Sequence, residues 1–339
     1  DIPQPLMPKR PEALLGGSEL PFATPTGTLK EFIAFNTSGN FLTPEAVGKI
    51  ENQNVHATTD VDVVIVYPKD FKTEAERLAE HRSEHSNLTV ALVEVGEIFN
   101  EFASGRTEAT AIRDFAKMVY DRNPERFRSL VLFGDGSFDH RDVYGLGGNF
   151  VPVYETAQSL NPISAFPSDD FFAMLSDDEG TNINGGALDI GVGRLPVDDL
   201  DEARAMVDKI IQYDTEPNTL RDWRNRVVFV GDDEDSNTHT GDADEIAVKI
   251  SSKNKNLNID KIYLDAFPQV STSGGTRTPL ATEAINNNIF KGTLAMVYLG
   301  HGGPKGWAQE RVIKIEDILS WRNEGKLPLI ITATCTFGG

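Results

Sequence analysis

The stretch Leu294–Gly339 reads LAMVYLGHGGPKGWAQERVIKIEDILSWRNEGKLPLIITATCTFGG. Two apolar runs of strand length stand in it, Leu294–Leu299 and Leu327–Thr332. The first runs out into Gly300-His301-Gly302-Gly303, the second into Ala333-Thr334-Cys335. Between them Ile313, Ile315, Ile318, Leu319 and Trp321 are spaced for a crossover with one helical face. Strand, crossover and strand make parallel neighbours with a right-handed connection. His301 and Cys335 then emerge together at the carboxyl edge of the sheet, where open α/β folds place their sites.

This pairing is the main chemical signal. A thiol is a strong nucleophile only as thiolate, and an adjacent imidazole both removes its proton and protonates a leaving amine. The N–H groups of Gly302 and Cys335 are placed to form an oxyanion hole for a tetrahedral intermediate. Read singly, a buried structural cysteine and a loop histidine are the plainer accounts, since free cysteine is among the most buried residue types. It is the pair, each member at a strand end among small residues, that favours catalysis. Such a dyad needs no cofactor.

Upstream, strands and helices alternate. Asp62–Tyr67 (DVVIVY), Asn87–Glu94, Arg128–Phe133 and Ala187–Gly191 read as strands. Phe71–His85, Val95–Ala103, Ala109–Asn123 and Asp199–Tyr213 read as helices. Glu216–Asn225 is the seam to a second half, which opens on the strand Arg226–Val230. A helix over Ala243–Ser251, a strand over Asn258–Leu264, a loop over 265–278 and a helix over Pro279–Lys291 lead back to the opening stretch. Before all this, residues 1–28 are proline-rich, Leu29–Phe35 alternates like a strand and Asn36–Asn40 is a turn. The resulting division is 1–57 as linker and end of a β-rich region, 58–216 as one α/β subdomain, and 217–339 as a second carrying His301 and Cys335.

The acidic stretch Gly231–Glu245 (GDDEDSNTHTGDADE) partly imitates a calcium-binding EF-hand through Asp233, Asp235, Asn237 and Asp244. It fails as one. Thr238 sits where that loop needs glycine, Asp244 replaces the bidentate glutamate, and a strand precedes it. A structural calcium of another type stays open beside the plainer role of capping the next helix. His239 in this stretch is a rival base, without the His-Gly-Gly context of His301. Gly134-Asp135-Gly136-Ser137 is no phosphate loop, lacking both the Walker lysine and the GxGxxG spacing.

The formal net charge of −20 argues against nucleic acid and against anionic lipid as partners. No apolar run is long enough to cross a membrane and no signal peptide opens the chain. With a start that reads like mid-protein and an end four residues past Cys335, the 339 residues look like a piece of a longer chain.

The order His-Gly after one strand and Cys after the next resembles the caspase-like cysteine peptidases, gingipains (peptidase family C25) included. The fuller strings are similar to the gingipain-like C-terminal signal peptidases, or sortases, of type IX secretion. These are YLGHGGPKGWAQER and LPLIITATCTFG, with EFIAFNTSGNFLTPEAVGKIENQNVHA, SGRTEATAIRDF, LFGDGSFDHR and PSDDFF upstream. The resemblance implies a caspase-like α/β fold with mostly parallel sheets, preceded by the end of a β-rich N-terminal region. It implies that Asp169, just after a serine in PSDDFF, orients His301, with Asp170 as competitor. It also implies secreted cargo proteins with C-terminal targeting domains as substrates, at the outer face of the outer membrane. An outer-membrane β-barrel anchor is the implied partner, and water or a surface lipopolysaccharide amine the implied acceptor. A general secreted gingipain-like endopeptidase and a non-catalytic scaffold are the alternatives.

Overall fold

Five successive residues, Val63–Tyr67, are all buried, and a strand apolar on both faces belongs inside a parallel sheet. The computed structural model describes residues 27, 43, 45–46, 48–156, 165–180, 183 and 185–335. Residues 1–52 group apart from residues 53–339, and the elements below all belong to the second unit. The strand expected over Leu29–Phe35 and the turn at 36–40 lie outside the described residues.

The first sheet is built from β1 (Val63–Tyr67), β2 (Val90–Glu94), β3 (Ser129–Phe133) and β4 (Gly191–Leu195) in the order β2-β1-β3-β4, every pair parallel. Because strand side chains alternate, β1 feeds two cores. Val64 and Val66 pack with Ile112 and Phe115 of α3 (Ala109–Arg122). Val63, Ile65 and Tyr67 pack with Phe71, with Leu78 of α1 (Lys72–Ser86) and with Val207 of α4 (Leu200–Thr215). Between β2 and α3 runs α2 (Val95–Phe102), whose Ile98 is buried. Helix α1 ends on Asn87 in the left-handed conformation, and α4 starts on Asp199, whose carboxylate accepts from Glu202 N–H at 2.8 Å.

The expected strand at Ala187–Gly191 is displaced to Gly191–Leu195. Asp189 accepts the Leu175 N–H at 2.8 Å, which holds the preceding residues in a turn. The strand itself, GVGRL, lies at the sheet edge, where its glycines need no apolar neighbours.

The second sheet holds β5 (Arg226–Gly231), β6 (Asn258–Tyr263), β9 (Ala295–Leu299) and β12 (Leu329–Ala333), ordered β12-β9-β5-β6 and again parallel. Val228 and Val230 face a core with Ile285 of α6 (Pro279–Lys291), while Val227 and Phe229 face Ala247 of α5 (Glu234–Lys253). Helix α5 starts well before the expected Ala243, behind a kink at Asp235–Asn237. The segment 265–278, expected as loop, contains the hairpin β7 (Val270–Thr272) and β8 (Gly275–Arg277).

The connection from β9 to β12 differs from the expected helical crossover. It begins with a hairpin, β10 (Gly302–Gly303) against β11 (Gly306–Trp307), and only six residues are helical, α7 (Ile315–Ser320). The residues that bury themselves are Trp307, Ala308, Val312 and Ile313, whereas Leu319 is 73% exposed. The hairpin and turn supply the anchor that a helical face was expected to give. Among the described residues no helix is long and apolar enough to cross a membrane.

Candidate active site

In the parallel pair β9–β12, Ala295 lies opposite Leu329 and Leu299 opposite Ala333. The Gly300 N–H then bonds the Ala333 carbonyl at 3.2 Å. His301 and Cys335 therefore each follow two residues beyond paired strand ends, as the sequence spacing requires. Cys335 is an exposed free thiol.

Fixed groups hold the His301 backbone at both its N–H and its carbonyl. Its N–H bonds Asp232 Oδ2 at 2.8 Å, and its carbonyl accepts from Tyr298 Oη at 2.5 Å and Ala308 N–H at 2.8 Å. Tyr298 stacks on Trp307 with centroids 4.4 Å apart, so the hairpin locks the donor in place. Burial, with Asp232 nearby, keeps the Tyr298 hydroxyl protonated far above the usual phenol range. At Gly300 a Cβ would collide with the Asp232 Cβ and sit 2.6 Å from Tyr298 Oη, so only glycine lets the strand end approach Asp232.

Gly302 is equally constrained: a Cβ there would run into Thr334 Oγ1 and lie 3.1 Å from the Cys335 carbonyl oxygen. This close approach ties the histidine loop to the cysteine strand end. Because Ala308 N–H bonds the His301 carbonyl, Gly302 takes the non-hydrogen-bonded place opposite Trp307. Its N–H is left out of the hairpin ladder, as an oxyanion donor must be.

The carboxylate at the His301 ring is that of Asp235, with Oδ2 2.9 Å from Nε2. This hydrogen bond raises the imidazole pKa above its ordinary value, partly opposed by desolvation and aided by the charges of Asp235, Asp232 and Glu234. With Nε2 engaged, Nδ1 is the nitrogen left for a thiol. The backbone pays for this placement, because Asp235, Ser236 and Asn237 all adopt left-handed φ values of 52°, 58° and 63°. Thr238 Oγ1 donates to the Asp235 carbonyl at 2.7 Å and closes the turn.

The rival base, His239, stands edge-on to His301 at 5.1 Å, its Nε2 3.6 Å from the same Asp235 oxygen. The carboxylate is closer to His301. Asp235, His239 and His301 bring donor atoms within 4.8 Å of one another, close enough to hold a metal ion, which would occupy the base.

Asp169, expected to orient His301, is engaged elsewhere. Its oxygens take the Arg194 fork, Oδ2 from Nε at 2.9 Å and Oδ1 from Nη2 at 2.7 Å. Arg194, 10% exposed, also donates to the carbonyls of Gly134, Val151 and Pro152. A guanidinium this buried requires a carboxylate, and Asp169 supplies it. Asp170 is exposed and donates its N–H to Ser168 Oγ. Sequence reasoning missed Asp235 as the partner of His301. The one signal that pointed there was its place just past the carboxyl end of β5, at the same sheet edge.

The acidic residues that partly imitate an EF-hand do not converge as a set. Asp235 serves His301, and Asp244 accepts from Lys261 Nζ and Tyr263 Oη. Asp233 instead gathers with Asp232 and Glu310.

Residues 56–339 match the sequence signature of peptidase family C25. Among solved structures, dimeric latent PorU from Porphyromonas gingivalis is 36% identical over 50% of this chain and 17% of its own length, with a TM-score of 0.46. The complex of Porphyromonas gingivalis RgpB pro- and mature domains is 17% identical, covers 80% of this chain and 55% of the other, and has a TM-score of 0.59. The Arg-specific cysteine proteinase gingipain R (RgpB) gives 15% identity, 83% and 56% coverage and a TM-score of 0.58. The chain thus spans little more than half of the gingipain structures and about a sixth of PorU. Among curated proteins none matches. The gingipain likeness establishes the fold, an α/β caspase-like arrangement of parallel sheets.

Proposed function

Because the chain belongs to peptidase family C25, we propose that it is a cysteine endopeptidase with Cys335 as nucleophile and His301 as base and then acid. The observation that carries this reading is the common register of His301 and Cys335 at one sheet edge, with Asp235 on the far ring nitrogen. His301 takes the thiol proton, and the thiolate adds to the carbonyl carbon of the scissile peptide. The π electrons move to oxygen, where the N–H groups of Gly302 and Cys335 meet the oxyanion. Collapse expels the amine with the proton returned by the imidazolium, which the Asp235 carboxylate stabilises, and leaves a thioester on Cys335. Asp169 has a different task, anchoring Arg194 and the loops it binds.

The finer reading concerns substrate and place. The quoted strings resemble PorU-type peptidases, and this likeness supports secreted cargo with a C-terminal targeting domain as substrate. The chain then works at the outer face of the outer membrane, beside a β-barrel anchor of type IX secretion. His301 deprotonates either water, giving a free acid, or an amine of surface lipopolysaccharide, giving a new amide.

The test is intact-mass spectrometry of the full-length protein mixed with a cargo protein that still carries its C-terminal targeting domain, since the segment before the cut forms the thioester. A thioester on Cys335, absent from Cys335→Ala and partitioning toward added amine, is the expected result. Absence of any adduct on the wild type, with cargo uncut, overturns the reading.

A further inference from the structure

A cavity of about 370 Å³ opens beside His301, walled by Gly302, Pro304, Lys305, Gln309 and Arg311. Cys335 is not among its described walls, so the cavity flanks the base rather than the nucleophile. Its two fully charged side chains, Lys305 and Arg311, are both cations, in a chain of formal net charge −20. Among the described residues neither cation forms a hydrogen bond or an ion pair through its side chain. Lys305 is exposed, the ordinary state of a lysine, but Arg311 is half-buried. The carboxylates on its other side do not claim it. Asp233, Glu234 and Glu310 wall a neighbouring cavity with Arg311, yet none pairs with it. Burial and the charges of Asp233, Asp232 and Glu234 raise the Glu310 pKa, and Arg311 does not offset them.

The turn that carries Arg311 is fixed at both ends. Ala308 N–H bonds the His301 carbonyl at 2.8 Å, and Val312 N–H bonds the Trp307 carbonyl at 3.0 Å. Between them the Arg311 N–H bonds the Ala308 carbonyl at 3.2 Å. Ala308 and Arg311 both take left-handed φ values, 57° and 56°, although neither is glycine. Strain of this kind persists where the surroundings enforce it, and it clusters at ligand clamps. Gly303 is the converse case. Its φ is ordinary and a Cβ there would meet nothing within 4 Å, so the fold does not demand glycine. The missing side chain keeps the cavity open next to His301.

His301 returns its proton to the leaving amine, so the residue after the cut bond lies on the histidine side. Building on the peptidase reading above, we propose that this cavity receives the side chain directly after the cut bond, and that Arg311, helped by Lys305, selects an acidic one. A guanidinium fork takes a carboxylate through two parallel hydrogen bonds, which an ammonium cannot match. The volume is at the small end of ligand pockets and suits one side chain.

Two measurements on full-length protein test this. In the first, Cys335→Ala protein is titrated calorimetrically with two short peptide amides that differ only in an N-terminal Asp or Asn. This is the form in which the leaving segment departs, and its binding needs no peptidase activity. The Asp peptide should bind about tenfold or more tightly. Arg311→Gln should abolish that ratio, Arg311→Lys should keep part of it, and Lys305→Gln should reduce it less. In the second, kcat/KM is compared for cargo protein carrying Asp, Asn or Lys directly after the cut bond. The order Asp above Asn above Lys is expected, and Arg311→Gln should flatten it. Cargo cut equally well whatever that residue overturns the proposal and leaves the peptidase reading standing. Equal binding of the two peptides, or none, overturns it as well. Uncut cargo beside selective binding of the Asp peptide removes the peptidase reading instead, and the cavity remains an acid-binding one.

Discussion

His301 and Cys335 hold equivalent positions on neighbouring parallel strands, each two residues past the paired ends Leu299 and Ala333. Iodoacetamide alkylation of Cys335 should therefore proceed well below the free-thiol pKa of about 8.5. His301→Ala should slow it about tenfold or more near pH 6, with little change near pH 10. Coincident profiles for the two proteins would remove the thiolate–imidazolium pair.

Asp235→Asn tests the orienting carboxylate. The hydrogen bond from Asp235 raises the His301 pKa, so its loss should move the alkaline limb of activity to lower pH. Turnover should fall about 10²-fold, the lower range for a general acid–base group. The raised pKa adds stability below the ordinary imidazole range, and this is lost as pH rises through the folded-state value. The difference in stability between wild type and variant should follow that course. A limb that stays in place would exclude Asp235.

Asp169→Asn should act on stability. It leaves Arg194 buried beside three carbonyls without its counter-charge, at a cost of about 2–3 kcal/mol. Denaturant unfolding should register that loss while the alkylation profile of Cys335 keeps its shape. A shifted profile with unchanged stability would return Asp169 to the catalytic group.

Gly302→Ala places a methyl group against Thr334 Oγ1 and the Cys335 carbonyl. Peptide turnover should fall about 10²-fold or more, as when an oxyanion donor is displaced. Adding Thr334→Ala should restore part of it, since one of the two obstacles is gone. Full activity in the single variant would show that the loop and strand end are not held together.

Glu101 caps the turn at Val55–Ala57, accepting from Gln53 Nε2, from the Val55 and His56 N–H groups and from the His56 ring. Burial alone would raise its pKa, but these bonds outweigh it and hold the carboxyl at about 2. Glu101→Gln should cost about 1–2 kcal/mol at neutral pH, since solvent screens part of the charge and the glutamine oxygen keeps part of the cap. The deficit relative to wild type should shrink as pH falls from the ordinary glutamate range through about 2. Urea midpoints from pH 7 to pH 2 would show it.

The sequence by itself determined the alternation of strands and helices and the co-emergence of His301 and Cys335. Apolar runs bounded by glycine reveal strands, and parallel pairing brings their carboxyl ends to one edge whatever the side chains between them. Only the tertiary structure decided the rest. The crossover residues Ile315, Ile318 and Leu319 carry helical spacing, yet the hairpin around Trp307 supplies the buried anchor. Asp235 reaches His301 through three consecutive left-handed residues, a conformation that no local preference of Asp, Ser and Asn specifies as a run. Asp169 belongs to Arg194 because a buried guanidinium captures the carboxylate that fits its fork. Strand ends are set by local pattern, whereas the partner of each charge is set by which opposite group folding leaves beside it in a dry place.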